Sequence, residues 1–166
     1  MRILFVRHAI AISREDFHGA DDLNRPLTDV GRKKARRAFR GLLSYYGRPD
    51  QILHSAASRA VETAAILNEL SGVSLKEVPA LNPGAEYDAL LSILDEHEKA
   101  GGFLAIIGHE PDLSEFVSGL IQSHEGRPAY LHLNIKKAAC IEVQMHGRGA
   151  GELVSFLPPR LLRRLT

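Results

Sequence analysis

The chain has 166 residues, 45% of them hydrophobic and 25% charged, and a formal net charge of +1. This size and balance fit one soluble globular domain able to bury a sizeable core. They exclude the global field that would draw a chain to nucleic acid or to an acidic membrane surface. Cys140 is the only cysteine, so no internal disulfide forms, in agreement with a reducing compartment. It lies in the apolar run Ala138-Ala139-Cys140-Ile141 and reads as buried filler. The amino terminus runs straight into an apolar segment, without the charged region and cleavage site of a secretory signal. No apolar run approaches the ~20 residues needed to span a bilayer. The expectation is a cytoplasmic protein forming a single domain over residues 1–166.

Residues 1–8, Met-Arg-Ile-Leu-Phe-Val-Arg-His, read as a buried strand that ends in Arg7-His8. In open α/β sheets ligands sit beyond the carboxyl ends of strands, so a cation and an imidazole there suit a phosphate site. A solvated loop start is the alternative. Ala9 to Pro26 is a polar loop of unusual length, which fits either a cover over a site or an ordinary surface loop. Thr28 is the candidate N-cap of a helix whose apolar face carries Ala35, Ala38, Phe39, Leu42, Leu43 and Tyr46. Gly47-Arg48-Pro49 ends it. Arg32, Lys33, Lys34, Arg36, Arg37 and Arg40 make residues 32–40 strongly basic. That stretch reads as a solvated face or as a docking surface for an acidic partner.

Gln51 to His54 reads as a second strand. Ser55 to Leu70 turns into a helix that Ser58 could cap and Gly72 closes. Lys76-Glu77-Val78 is an edge-strand candidate, Asn82-Pro83-Gly84 a turn, and Glu86 to Lys99 an amphipathic helix. Phe103 to Ile107 is the clearest strand after the first and runs into Gly108-His109-Glu110-Pro111. Pro111 suits the first turn of the next helix, whose stripe is Leu113, Phe116, Val117, Leu120 and Ile121. Ala138 to Gln144 and Glu152 to Leu157 read as strands joined by a Gly-rich turn, followed by a short basic tail from Arg160. These segments predict a three-layer α/β/α sandwich with a mostly parallel sheet, the last two strands adding an antiparallel pair at one edge.

Three strand-like segments therefore end in Arg7-His8, in Ser55 with Arg59, and in Gly108-His109. Two guanidiniums and two imidazoles can converge if the strands are adjacent. A guanidinium presents a planar fork of donors to phosphate oxygens and keeps its charge. A neutral imidazole can attack through one nitrogen while the other donates to a fixed acceptor. Zinc wants three or four neutral or anionic ligands. Here the nearest companions of His8 and His109 are arginines, which repel a cation, so no metal is expected. His18, His54, His97, His124, His132 and His146 have no ligand spacing and read as structural or exposed.

Arg7-His8 at the end of an amino-terminal strand resembles the first motif of the histidine phosphatase superfamily. Ser55-x-x-x-Arg59-Ala60-x-x-Thr63-Ala64 resembles its second, Gly108-His109-Glu110-Pro111 its third, and Pro26-Leu27-Thr28-x-x-Gly31 the segment after the first. The short length and the Gly-His-Glu-Pro form are most similar to the small SixA-type phosphohistidine phosphatases. The resemblance implies a domain of the phosphoglycerate mutase-like fold without a large cap insertion and without metal or organic cofactor. It implies that His8 accepts the phosphoryl group, giving a phosphohistidine intermediate that water hydrolyses. Arg7, Arg59 and His109 then hold the phosphate oxygens, with Ser55 a lesser contributor.

The sequence departs from the pattern at Ala9, where Gly is usual, at Ala56, where Pro is common, and at Glu62, where Gln is common. The general acid is open: Glu86, Asp88 and Glu110 are candidates, each more readily read as a solvated helix-end carboxylate. A phosphorylated imidazole can leave as neutral imidazole, whereas an alkoxide gains much from an acid. This, and an uncapped pocket, favour phosphohistidine on a protein. A phosphatase of the same fold acting on a small phosphate ester is the alternative, and a non-catalytic phosphoprotein-binding module is a second. No nucleic-acid or membrane partner is expected.

Overall fold

A computed structural model describes residues 1–98, 102–122, 131 and 133–165. The strands are β1 (Arg2–Arg7), β2 (Gln51–His54), β3 (Leu75–Glu77), β4 (Phe103–Gly108), β5 (Cys140–Gly147) and β6 (Ala150–Leu157). They form one sheet in the order β3-β2-β4-β1-β5-β6. The first four of these neighbours are mutually parallel; β5 lies antiparallel to β1, and β6 antiparallel to β5. The helices are α1 (Asp29–Tyr46), α2 (Ser58–Ser71), α3 (Tyr87–Glu98), α4 (Asp112–Gln122) and the short α5 (Pro159–Leu162). The layered α/β/α arrangement and the antiparallel edge pair agree with the sequence reading.

Strand alternation sorts the core into two halves. Leu4, Val6, Ile52, Ala105 and Ile107 pack with Ala35, Phe39, Leu42, Ala64 and Leu67 of α1 and α2. Ile3, Phe5, Leu53, Leu104 and Ile106 pack on the other face with Leu90, Phe116, Val117 and Leu120 of α3 and α4. β1 and β4 are covered on both faces, which is why they read as unbroken apolar runs rather than as alternating ones. Each fully buried side chain of this size stabilises the fold by roughly 1.5–3 kcal/mol. No described helix is long and apolar enough to cross a membrane.

Several local expectations change. Ser58 does not cap α2: Ala57 occupies the N-cap position without a side-chain bond, and the Ala57 N–H donates to Ser55 Oγ instead (3.1 Å). Pro111 precedes α4 rather than lying in its first turn. β5 begins at Cys140, because Ala138 takes a left-handed φ of 62° and its N–H turns to the Arg7 carbonyl (3.0 Å). The basic tail is not free: α5 docks on α1 with Leu162 buried. Of the basic residues on α1, Arg32 pairs with Glu62 and Arg36 with Glu69, both on α2. Cys140 is buried as filler, and burial pushes its thiol up to about 12. Lys99, His124 and His132 lie outside the described residues.

The Pro26-Leu27-Thr28-x-x-Gly31 segment has a steric explanation. Thr28 Oγ1 accepts from the Gly31 N–H (2.9 Å) and the Thr28 N–H donates to the Ile10 carbonyl (2.9 Å), so the start of α1 lies against the loop leaving β1. A Cβ on Gly31 would stand 2.1 Å from the Ile10 oxygen, a backbone atom that cannot swing away. Gly31→Ala should therefore destabilise the fold by about 1–3 kcal/mol, read as a lower denaturant midpoint. An unchanged midpoint would contradict this account of the approach.

Candidate active site

Parallel pairing brings three strand ends to one level. Arg7 is registered with Gly108, and the His8 N–H donates to the Gly108 carbonyl (3.0 Å). On the other side of β4, His54 is registered with Ile107, and the Ser55 N–H donates to the Ile107 carbonyl (3.3 Å). Arg7, His8, Arg59, His109 and Glu110 thus line one cavity of about 220 Å³ with Arg14, Arg25, Pro83 and Lys137. The His8 and His109 rings stand 5.2 Å apart between centroids.

Hydrogen bonds settle the proton on each imidazole. His8 Nδ1 lies 2.7 Å from the Ala9 carbonyl, which can only accept, so Nδ1 carries the hydrogen and Nε2 keeps a free lone pair. The His109 proton is fixed from a backbone amide outward. Asn82 Oδ1 accepts from the Ala56 N–H (2.9 Å), which fixes it as the oxygen. Ser55 Oγ donates its one hydrogen to that oxygen (2.9 Å) and accepts from the Ala57 N–H. Its contact with His109 Nε2 (2.9 Å) is then donated by the ring. In the neutral ring this leaves His109 Nδ1 unprotonated, buried and without a partner. Ser55 is fully buried and stands outside the cavity lining. Its hydroxyl is taken up by Asn82, Ala57 and His109, so the contact that leads from it to the cavity runs through His109.

Four buried side-chain polar atoms lack a partner among the described residues: Arg7 Nε, Arg59 Nε, His109 Nδ1 and Glu110 Oε1. All four belong to residues lining this cavity. Unpartnered buried polar groups are rare and costly, and their grouping here marks a place for a polyvalent polar ligand. Arg7 Nη1 donates to the Ile135 carbonyl (2.6 Å). Arg59 is held by both the carbonyl (2.8 Å) and the carboxylate (3.2 Å) of Asp22. Burial, the neighbouring His109 and the two arginines hold His8 down to about 2; burial and the same arginines hold His109 down to about 3. Both imidazoles are neutral at neutral pH. Burial pushes the Glu110 carboxyl up from its ordinary value, against the pull of the Ser114 hydroxyl and Arg7. Glu86 and Asp88 are exposed and outside the cavity, so among the three candidate acids the structure brings only Glu110 to it.

The sequence model of the histidine phosphatase superfamily (branch 1) matches residues 3–84, which include Arg7, His8, Ser55 and Arg59. The structure of the protein histidine phosphatase SixA complexed with tungstate superposes with a TM-score of 0.81 at 21% identity, covering 96% of this chain and 98% of that one. The putative phosphohistidine phosphatase SixA from Agrobacterium tumefaciens gives 0.75 at 22% identity, covering 95% and 97%. A mycobacterial glucosyl-3-phosphoglycerate phosphatase complexed with VO3 gives 0.76 at 15% identity, covering 95% and 99%. No curated protein matches the sequence significantly. Over residues 3–84 the chain carries the sequence pattern of the histidine phosphatase superfamily, and its fold is the histidine phosphatase fold.

Its departures from the superfamily pattern have local explanations. Ala9 is buried, and its N–H donates to Thr63 Oγ1 (3.0 Å), which in turn donates to the Arg59 carbonyl (2.6 Å). The second motif is thereby tied to the first. Ala56 supplies the N–H, absent from a proline, that fixes Asn82. Glu62 accepts from the Leu27 N–H (3.2 Å) and is charge-balanced by Arg32.

Sequence reasoning missed Arg14, Asp22, Arg25, Asn82 and Lys137. The first three belong to the 9–26 loop, where Asp22 pairs with Arg14 (3.4 Å) and Arg25 (2.9 Å) as well as Arg59. Balanced charge in a loop carries no positional signal, although the loop's length was a fair pointer. Asn82 and Pro83 are brought in by Asp112, whose Oδ2 accepts from the Gly84 N–H (3.0 Å). Among the described residues no group of three or more His, Cys, Asp or Glu is placed to hold a metal ion.

The depressed imidazoles make stability depend on pH. Both folded values lie below the ordinary 6.5. Between about pH 6.5 and 3 the unfolded chain therefore binds protons that the folded chain does not, and stability falls as the pH falls. Each imidazole contributes a slope of up to about 1.4 kcal/mol per pH unit. Denaturant titrations of wild type and His8→Asn across this window should show a shallower slope in the variant. Equal slopes would contradict the neutral, desolvated state of His8.

Proposed function

We propose that this protein is a phosphatase that uses His8 as nucleophile and acts on phosphohistidine carried by a protein. The observation that carries the reading is the set of four unpartnered polar atoms on residues that line one cavity with His8, a neutral imidazole whose Nδ1 is the nitrogen bonded to the backbone. His8 Nε2 attacks phosphorus, forming a P–N bond as the bond to the substrate's imidazole nitrogen breaks. That imidazole leaves neutral when its other nitrogen is protonated. Water then attacks the phosphoryl-His8, the new P–N bond breaks, and inorganic phosphate departs. Arg7 and Arg59 hold the phosphoryl oxygens through steps that depend on positioning and charge stabilisation. His109 Nδ1 can meet an oxygen only if a proton lies between them, so the site accepts a phosphoryl group together with a proton.

Substrate class is supported by three features. Residues 82–86 pass directly from the Asn82 turn into α3, so no inserted cap narrows the cavity there. The SixA structures are described as protein histidine phosphatase and phosphohistidine phosphatase. The leaving group needs little help, and the cavity offers one carboxyl group, Glu110. A second reading, hydrolysis of a small phosphate ester, is favoured by the likeness to a glucosyl-3-phosphoglycerate phosphatase and by Glu110, whose raised pKa suits an acid.

His8→Ala should abolish phosphate release from a phosphohistidine-bearing protein, by roughly 10³-fold or more, in an assay without added metal. Equal release by wild type and variant would remove His8 from the mechanism. No release by the wild type would favour the ester reading or a module that binds without turnover. Glu110→Gln separates the two substrate classes. It should lower kcat/KM for an aliphatic phosphate ester by roughly 10² or more while lowering that for phosphohistidine much less. An equal loss on both would overturn the leaving-group argument.

A further inference from the structure

The cavity holds more positive charge than the two arginines of the motifs account for. Arg14, Arg25 and Lys137 also line it, and Glu110 is the one carboxylate in the lining. Arg14 and Arg25 are both paired with Asp22. Lys137 differs: no hydrogen bond or ion pair joins its ammonium to any described residue, and the charged groups acting on it are Arg7, Arg25 and Arg59. Burial and these three guanidiniums all disfavour the charged ammonium until an anion arrives.

The backbone keeps it there. Lys137 sits in a turn in which the Ala139 N–H donates to the Lys136 carbonyl (2.8 Å) and the Ala138 N–H to the carbonyls of Arg7 (3.0 Å) and His8 (3.3 Å). Arg7 Nη1 grips the same turn at the Ile135 carbonyl. Ala138 is the only non-glycine residue with positive φ (62°) among the described residues. A left-handed alanine is strained, and such strain persists where surrounding structure enforces it, often at functional sites. The turn is thus fastened directly to the two residues that end β1, with Lys137 over the cavity.

We infer that Lys137 is a further phosphoryl-binding residue, a mobile ammonium that closes on the phosphate oxygens left free by Arg7, Arg59 and His109. This rests on the phosphatase reading of the same site. Lysine suits the task because its ammonium is a compact charge on a flexible stem, able to follow the phosphoryl group between His8 and water.

The test is calorimetric binding of inorganic phosphate to wild type, Lys137→Met, Lys137→Arg and, as control, Lys136→Met at the exposed neighbouring position. Lys137→Met should weaken phosphate binding by about tenfold or more, and Lys137→Arg should keep most of it. Lys136→Met should match wild type. A Lys137→Met protein that binds phosphate like wild type overturns the inference and leaves the phosphatase reading standing. A wild type that neither binds nor releases phosphate overturns both.

A second readout separates charge from packing and does not need the methionine variant to fold. Burial and the three arginines lower the Lys137 pKa. Around it stand the His8 and His109 imidazoles, which are already neutral, the Glu110 carboxyl group and the guanidiniums of Arg7, Arg14, Arg25 and Arg59. Wild-type affinity for phosphate should therefore fall as pH rises toward the ordinary lysine range, while Lys137→Arg holds its affinity. Parallel profiles for the two proteins would overturn the inference.

Discussion

The site depends on the register of β4 between two parallel neighbours. Were β4 shifted by one residue against β1, Gly108 would no longer stand beside Arg7 and the His8 N–H would lose its acceptor. Such a slip would also exchange the two faces of the strand, sending Ile106 and Ile107 into the wrong halves of the core. The register is therefore enforced by the burial of Leu104 to Ile107 between two helical layers. The same apolar packing that stabilises the fold sets the spacing of the reacting groups, so precision at the site comes from the core rather than from the loops.

Around that frame, protons and charges are assigned by contacts one step removed from the cavity. The Ala56 amide orients Asn82, Asn82 takes the Ser55 hydrogen, and Ser55 then leaves His109 one way to donate. The Ala9 carbonyl does the same for His8. Partners of this kind fix tautomer and ring orientation, much as they do for metal-bound histidines. The cations come from the end of β1, the long loop, α2 and the turn before β5, in a chain whose net charge is only +1. Concentrating them in one cavity is unfavourable in the free protein, and an anion relieves it. Destabilisation of this kind is common where a site must favour its ligand strongly.

Much of this was legible because strands and motifs coincide. β1 and β4 are apolar runs ending in chemically distinctive residues, so Arg7, His8 and His109 stood out before any contact was known. Thr28 carried its capping role in its position. What stayed hidden depends on distant parts of the chain. Asp22 sits amid a loop of balanced charge and matters only because it meets Arg59 on α2. Lys137 lies just before the segment that reads as a strand, in a turn whose left-handed alanine leaves no trace in composition. Ser55 shares a motif with Arg59, but its full burial and its bond from His109 are set by the packing and not by the motif. Glu86 and Asp88 resembled Glu110 in sequence, and position alone separates them.

The central claim is that a neutral His8 attacks through Nε2. Rapid mixing of the protein with a phosphohistidine-bearing protein, an alkaline quench that preserves phosphoramidates, and mass-spectrometric mapping of the phosphoryl group test it directly. The account predicts transient phosphorylation of His8, with the phosphoryl group on Nε2, rising before inorganic phosphate appears. Phosphate release with no covalent phosphoryl on His8, or with one on another side chain, would contradict it.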